Sequence, residues 1–305
     1  MENKTLDDLF CEYINSYKAR TRLKQSTIST YTNSYTNYIH PYFKNLKLFE
    51  IDEFHVMNYT NILLKHYASK TINDILNLLN NILNFAGISI DIYKPKIETK
   101  EVKVITDNSL AILINFCSSH FSNINLGILI VIFTGMRIGE ICALQWRDID
   151  LDIGIIKINK TMQRIKNTDP KSKFKTKIII DSPKSNKSKR KIPINNFLLT
   201  LLRYLKRKPN AYILTGKSKK FMEPRVLEYH YKKILEELKI DYINFHALRH
   251  TFATRFYRET NDTKALAEIL GHQNVSTTLN IYVHSDIENK RNLIEKTFFN
   301  HDKIS

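Results

Sequence analysis

Between Asp91 and Lys103 the chain reads Asp-Ile-Tyr-Lys-Pro-Lys-Ile-Glu-Thr-Lys-Glu-Val-Lys, alternating charge with no apolar stripe. A segment with no face to bury cannot run through a core, so residues 91–103 form a linker and the rest must fold on either side of it. At 305 residues the chain also exceeds what one core ordinarily serves. Two domains are therefore predicted, 1–90 and 104–305. Only 7 glycines and 7 prolines punctuate them, which favours helices over a turn-rich β protein.

The first domain reads as four helices. Leu6, Leu9, Phe10, Tyr13, Ile14 and Tyr17 recur at three- and four-residue intervals and mark one apolar face. A second helix is expected from Ser26, a possible cap, to His40, where Pro41 should stop it. Segments near 53–67 and 71–86 complete the set, and Gly87 stands where a helix C-cap would.

The second domain opens with the capping pair Thr106-Asp107 and two helices, about 107–119 and 123–134. Residues 154–160, 177–181 and 189–194 read as three strands of one small antiparallel sheet, with 162–176 a polar extension between the first two. Helices resume near 195–207, 223–239, 246–259, 262–270, 275–283 and 286–299. The fold class is mainly α with a small antiparallel β-sheet.

Net charge is +17, and it is lopsided: residues 157–191 carry 13 basic and 2 acidic side chains. Such a stretch repels itself unless it lies on a polyanion. Nucleic acid fits better than an acidic membrane, because no basic amphipathic helix and no apolar run of transmembrane length is evident. The first residues lack the pattern of a signal peptide, so a cytoplasmic protein is expected. Cys11, Cys117 and Cys142 are too scattered for a disulfide framework or metal cluster, and each reads as a small core residue.

Four short segments carry candidate chemistry: Thr134-Gly135-Met136-Arg137-Ile138-Gly139-Glu140; Pro183-Lys184-Ser185; His246-Ala247-Leu248-Arg249-His250; and Leu270-Gly271-His272, with Tyr282 ten residues on. Two arginines, a lysine and two histidines converging on one oxyanion can clamp a phosphate without a metal. A tyrosine brought to the same point can hold that phosphate covalently. Arg137 and Glu140 share a helix face, as do His246 and Arg249. Lys171, Lys173, Lys175, Lys187, Lys189 and Arg190 are candidate phosphate contacts. No Gly-x-x-x-x-Gly-Lys-Ser/Thr loop is present, so nothing points to ATP.

In that order, Arg137, Lys184, His246-x-x-Arg249, His272 and Tyr282 resemble the tyrosine recombinases of the phage and transposon integrases, from about 106 to 284. The resemblance implies an N-terminal four-helix, SAM-like core-binding domain and a C-terminal mixed α/β catalytic domain that close around duplex DNA. It implies that Arg137 and Arg249 grip the scissile phosphate and that Glu140 orients its neighbours. Lys184 then protonates the leaving 5′ oxygen, with Lys187, Lys189 and Lys191 as neighbours that could compete for the role. His246 donates to a phosphate oxygen or manages the tyrosine's proton, His272 donates to the phosphate, and Tyr282, rather than Tyr257, is the nucleophile. No cofactor is implied. Expected partners are double-stranded DNA, further copies in a tetramer, and accessory directionality or DNA-bending factors. The tail with Leu293, Ile294, Phe298 and Phe299 either docks on a neighbouring subunit or packs within its own. Mobile-element integration, chromosome resolution, a type IB topoisomerase and a non-catalytic DNA binder are the readings in descending order.

Overall fold

Apolar residues three and four apart build the first unit from helices α1 (Leu6–Thr21), α2 (Gln25–Ser34), α3 (His40–Phe43), α4 (Glu53–Leu64) and α5 (Ser69–Phe85) in the computed structural model of the protein. The described residues are 4–21, 24–97, 102–167, 172–182, 189–205 and 207–272, with Arg291 and Glu295. The chain divides into two compact units, residues 1–101 with 165–177 and residues 102–164 with 178–305.

Leu6, Leu9, Phe10, Tyr13 and Ile14 of α1 share a core with Ile72, Ile75, Leu76, Leu79, Ile82 and Leu83 of α5. Each such aliphatic side chain contributes about 1.5–3 kcal/mol by leaving water. Asp52 caps α4 by accepting from the His55 backbone N–H, and Gly87, at φ +76°, follows α5 in the left-handed region. Two expectations change here. Pro41 does not end the second helix: a π segment, Tyr35–Ile39, precedes α3, and the His40 N–H reaches back to the Tyr35 carbonyl, so Pro41 enters near the start of a new turn. Ser26 lies inside α2 rather than capping it, with Lys24 at the N-cap. Tyr35 is buried, stacked on Phe10 with ring centroids 3.8 Å apart, and donates to Asp7 at 2.6 Å. That tyrosine belongs to the core.

The second unit is organised around α7 (Asn123–Thr134), whose Leu126, Ile128, Leu129, Ile130 and Val131 are all buried. It packs against α6 (Asp107–Ser119) and α11 (His246–Thr260). Thr106 caps α6 as expected. Short α8 (Ile138–Ala143), α9 (Asn196–Tyr204), α10 (Pro224–Glu237) and α12 (Thr263–Leu270) complete its described helices. The strands divide differently from expectation. β1 (Ile149–Asp150), β2 (Ile155–Ile158) and β5 (Arg190–Pro193) form one antiparallel sheet, with Ile156 opposite Ile192. β3 (Thr161–Lys166) and β4 (Thr176–Asp181) pair separately as a ribbon. β3 occupies the start of the stretch read as a polar extension, with Met162 and Ile165, three residues apart and so on opposite faces of the strand, both buried among polar neighbours. Cys117 and Cys142 are buried, with Cys117 pushed up to about 12 by burial, but Cys11 is exposed. The helix expected near 275–283, and that near 286–299 apart from Arg291 and Glu295, lie outside the described residues.

Candidate active site

The site is assembled from three places where the backbone turns. The first ends α7. Gly135 takes φ +63°, and a Cβ there would fall 2.5 Å from Phe252 Cδ1 and 2.9 Å from Leu270 Cδ2, so no other residue fits the turn. The chain then re-enters helix with Arg137 as N-cap of α8. Glu140, three residues on, accepts the Arg137 backbone N–H at 2.9 Å and its guanidinium Nη1 at 3.0 Å. The Arg137 side chain is 36% exposed, whereas Glu140 is 3% exposed.

The second is the opening of α11. His246 begins it, and Arg249 lies one turn further along the same side. Arg249 is 2% exposed. Its Nη1 donates to the Gly135 carbonyl at 2.8 Å and its Nη2 to the Leu270 carbonyl at 2.8 Å, tying together the ends of α7 and α12. The third is the end of α12, where Gly271 turns at φ +66° and presents His272. His272 Nε2 sits 2.9 Å from Arg249 Nη2, and Arg137 Nη2 reaches the Gly271 carbonyl at 3.4 Å. Arg137, Glu140, Arg249 and His272, separated by up to 135 positions in sequence, are thus linked by hydrogen bonds, with His246 one turn from Arg249.

Electrostatics follows from that crowding. Burial alone would raise the Glu140 carboxyl, but hydrogen bonds and charge from Arg190, and the charge of Arg137, hold it down at about 2. Burial, then the positive charge around Arg249 and Arg137, lowers His272 to about 4. His246 keeps a solvent-exposed edge, yet the protein packed beneath it, then His250 and the two arginines, lower it to about 4. Both imidazoles are neutral at neutral pH. His250 has its ring edge-on to His246 with centroids 4.7 Å apart, and is itself lowered by burial and Arg249.

Arg190 is the correction. Expected among the exposed basic side chains, it is 5% exposed and clasps Glu140 with both terminal nitrogens, Nη1 to Oε1 at 2.9 Å and Nη2 to Oε2 at 2.8 Å. Its Nε donates to the Ile269 carbonyl. The signal was present in β-strand alternation: Arg190 and the buried Ile192 are two apart, so they share the inward face, while Lys189, Lys191 and Pro193 are exposed. Lys173 and Lys175 are exposed, as is Lys189. Lys171, Lys184, Lys187 and Tyr282 lie outside the described residues. Among the described residues no cluster of three or more His, Cys, Asp or Glu could hold a metal ion, and no helix is long and apolar enough to cross a membrane.

The phage integrase family model matches residues 103–289, and the model of the phage integrase N-terminal SAM-like domain matches residues 5–64. A tyrosine recombinase XerC-like protein of Caldanaerobacter subterraneus subsp. tengcongensis is 28% identical over 96% of this chain and 83% of its own length. Among solved structures, the Tn1549 transposon integrase in complex with a circular intermediate DNA superposes with a TM-score of 0.74 over 97% of this chain and all of that one, at 21% identity. A lambda integrase tetramer bound to a Holliday junction shares the fold at a TM-score of 0.65 and 16% identity, over 93% of this chain and 80% of that one.

Proposed function

The chain belongs to the phage integrase family of tyrosine recombinases, enzymes that cleave and rejoin DNA, and from that premise we propose that it is a site-specific recombinase serving a mobile element through a 3′-phosphotyrosyl intermediate. The observation that carries the mechanism is the junction of Arg137, Arg249 and His272 on the adjoining ends of α7 and α12. In this reading the two guanidiniums hold the scissile phosphate, each fork matched to two oxygens. Tyr282 Oη attacks phosphorus in line as the bond to the 5′ oxygen breaks. The phenolic proton passes to His246, whose neutral imidazole can accept it. Lys184 gives a proton to the departing 5′ oxygen, and His272 donates to a non-bridging oxygen. A 5′ hydroxyl of the partner strand then reverses the step, so phosphodiester bond energy is kept and no nucleotide is spent.

The domain limits we assign are 1–90 for the core-binding domain, 91–103 for the linker and 104–305 for the catalytic domain. Exposed Lys173, Lys175 and Lys189, with Lys171 and Lys187, hold the backbone through phosphates. Assembly as a tetramer on DNA is supported by the fold shared with the lambda integrase tetramer. Mobile-element service is supported by the likeness to the transposon integrase, and chromosome resolution is the second reading. Attachment-like repeats flanking the gene separate the two.

The mechanism is tested on a nicked suicide duplex. The wild type should form a protein–DNA adduct stable on a denaturing gel, and Tyr282→Phe should bind the duplex yet form none. An adduct that persists in Tyr282→Phe overturns the assignment of the nucleophile.

A further inference from the structure

We propose that Arg190 is a positioning residue of the reaction centre, which sets Arg137 through Glu140 and sets His272 through the last turn of α12, and that it makes no contact with DNA. The proposal rests on the recombinase reading for its reaction and on the geometry of β5 for its substance. Three donors of one guanidinium are directed inward: two to the two oxygens of Glu140, and one to the carbonyl of Ile269, three residues before His272. The same side chain lies against Gly271, where a Cβ would fall 3.0 Å from Arg190 Cδ and 3.1 Å from Nη1. Glu140 in turn fixes both the backbone and the guanidinium of Arg137. One side chain thus braces the two segments that present Arg137 and His272.

A lysine cannot replace it. An ammonium has no planar fork to span both carboxylate oxygens while also reaching a carbonyl on a third segment. Without Arg190 the buried Glu140 faces Arg137 on its own helix, His246 at the start of α11, and beyond them Lys157, Lys160 and Asp148 around the cleft beneath. The hydrogen bonds and the charge of Arg190 are gone, so Glu140 takes up a proton more readily and then releases Arg137. A positioning role therefore predicts a pH signature that a simple loss of fold does not produce.

The experiment compares wild type, Arg190→Lys, Arg190→Met and the double variant Arg190→Met/Glu140→Gln in the full chain. It uses single-turnover cleavage of a saturating nicked suicide duplex across acid to alkaline pH, with DNA affinity at several salt concentrations measured in parallel. Arg190→Lys and Arg190→Met should cleave about a hundredfold more slowly at saturation, as expected of a misplaced catalytic group, with affinity and its salt slope nearly unchanged. Arg190→Met should gain an acid limb, losing rate as pH falls through the raised Glu140 titration, and the double variant should lack that limb. Full-rate cleavage by Arg190→Met, or a variant that loses affinity and about one unit of salt slope while cleaving normally at saturation, overturns the proposal and makes Arg190 inert or a phosphate contact. If Arg190→Met melts below the assay temperature, Arg190→Lys and Arg190→Gln stand in for it, and normal cleavage by both has the same force. Should the wild type form no adduct at all, the recombinase reading fails. The positioning claim is then read in DNA-free protein from the NMR titration of the His272 imidazole, which must shift in Arg190→Lys and overturns the claim if it does not.

Discussion

Arg249 donates from Nη2 to His272 Nε2 across 2.9 Å, so in the DNA-free site the imidazole is neutral at that nitrogen and acts as acceptor. A phosphate oxygen is a better acceptor than an imidazole, so in the proposed mechanism its arrival is expected to turn His272 from acceptor into donor. His272 and His246 both start at about 4, chiefly through burial. A neighbouring phosphate favours the charged form and raises both values. DNA binding is therefore expected to take up protons at pH values just above the free value of about 4, and affinity should rise as pH falls toward it. Calorimetry across acid pH in buffers of different ionisation enthalpy measures that uptake. No uptake, or proton release, would contradict the exchange.

Glu140 governs acid stability. Its carboxyl sits at about 2 against an ordinary 4.5, so the folded value is the depressed one. The stability it contributes is complete above pH 4.5 and drains away as pH falls from there toward 2, about 3 kcal/mol in all. Glu140→Gln removes the charge at every pH and leaves Arg190 buried without its counter-ion, which should cost about 3–5 kcal/mol at neutral pH. Urea unfolding of both proteins at neutral pH, and of the wild type between about pH 5 and 3, reads both effects. An unchanged unfolding midpoint for Glu140→Gln would show that the two arginines do not depend on it.

The two arginines proposed to hold the scissile phosphate should fail differently when changed to lysine. Arg137→Lys keeps a charge at a partly exposed position and should leave stability almost intact while cleavage is lost. Arg249→Lys surrenders the buried bonds to the carbonyls of Gly135 and Leu270, at about 1–3 kcal/mol for each buried acceptor left unpaired. It should lower the melting temperature as well as abolish cleavage. Thermal denaturation beside adduct formation separates the pair, and equal melting of the two variants would argue that Arg249 is not the tie between α7 and α12.

Those outcomes test a site that was only partly legible in the chain. Arg137, His246, Arg249 and His272 stood in short contexts whose order pointed to one phosphate, and the structure brings them together. Arg190 was submerged in a basic run, where charge spoke louder than the strand alternation that turns it inward with Ile192. β3 hid for the same reason, since Met162 and Ile165 are its two apolar residues among a threonine, a glutamine, an arginine and a lysine. Pro41 looked like a helix stop because a π turn, which shifts the hydrogen-bond register ahead of it, leaves no local composition signal. The apolar periodicity of α1, α5 and α6 needed no such correction.

Among the basic side chains, Lys184 and the exposed lysines should behave as two kinds. Lys173→Ala and Lys175→Ala are expected to weaken DNA binding modestly and to reduce its salt slope by up to about one unit each. Lys184→Ala should bind almost normally and cleave slowly, and a sulfur in place of the leaving 5′ oxygen, which departs without a proton, should restore it. The same substrate should not rescue Arg137→Ala. Rescue of Lys187→Ala or Lys189→Ala instead would move the general acid.

The helix ends beneath the arginines also set how much charge the site holds in reserve. Arg137 and Arg249 rest on carbonyls at the C-terminal ends of α7 and α12, where each helix presents about half a negative charge. Adding Glu140 to those two ends leaves the three guanidiniums of Arg137, Arg190 and Arg249 with roughly one positive charge uncompensated among the described residues. One phosphodiester neutralises that surplus, and a pentacoordinate phosphorus with further charge exceeds it. The difference must come from protons or from groups that arrive with the reaction, so the added attraction for the transition state is expected from them rather than from the fixed charge of this cluster.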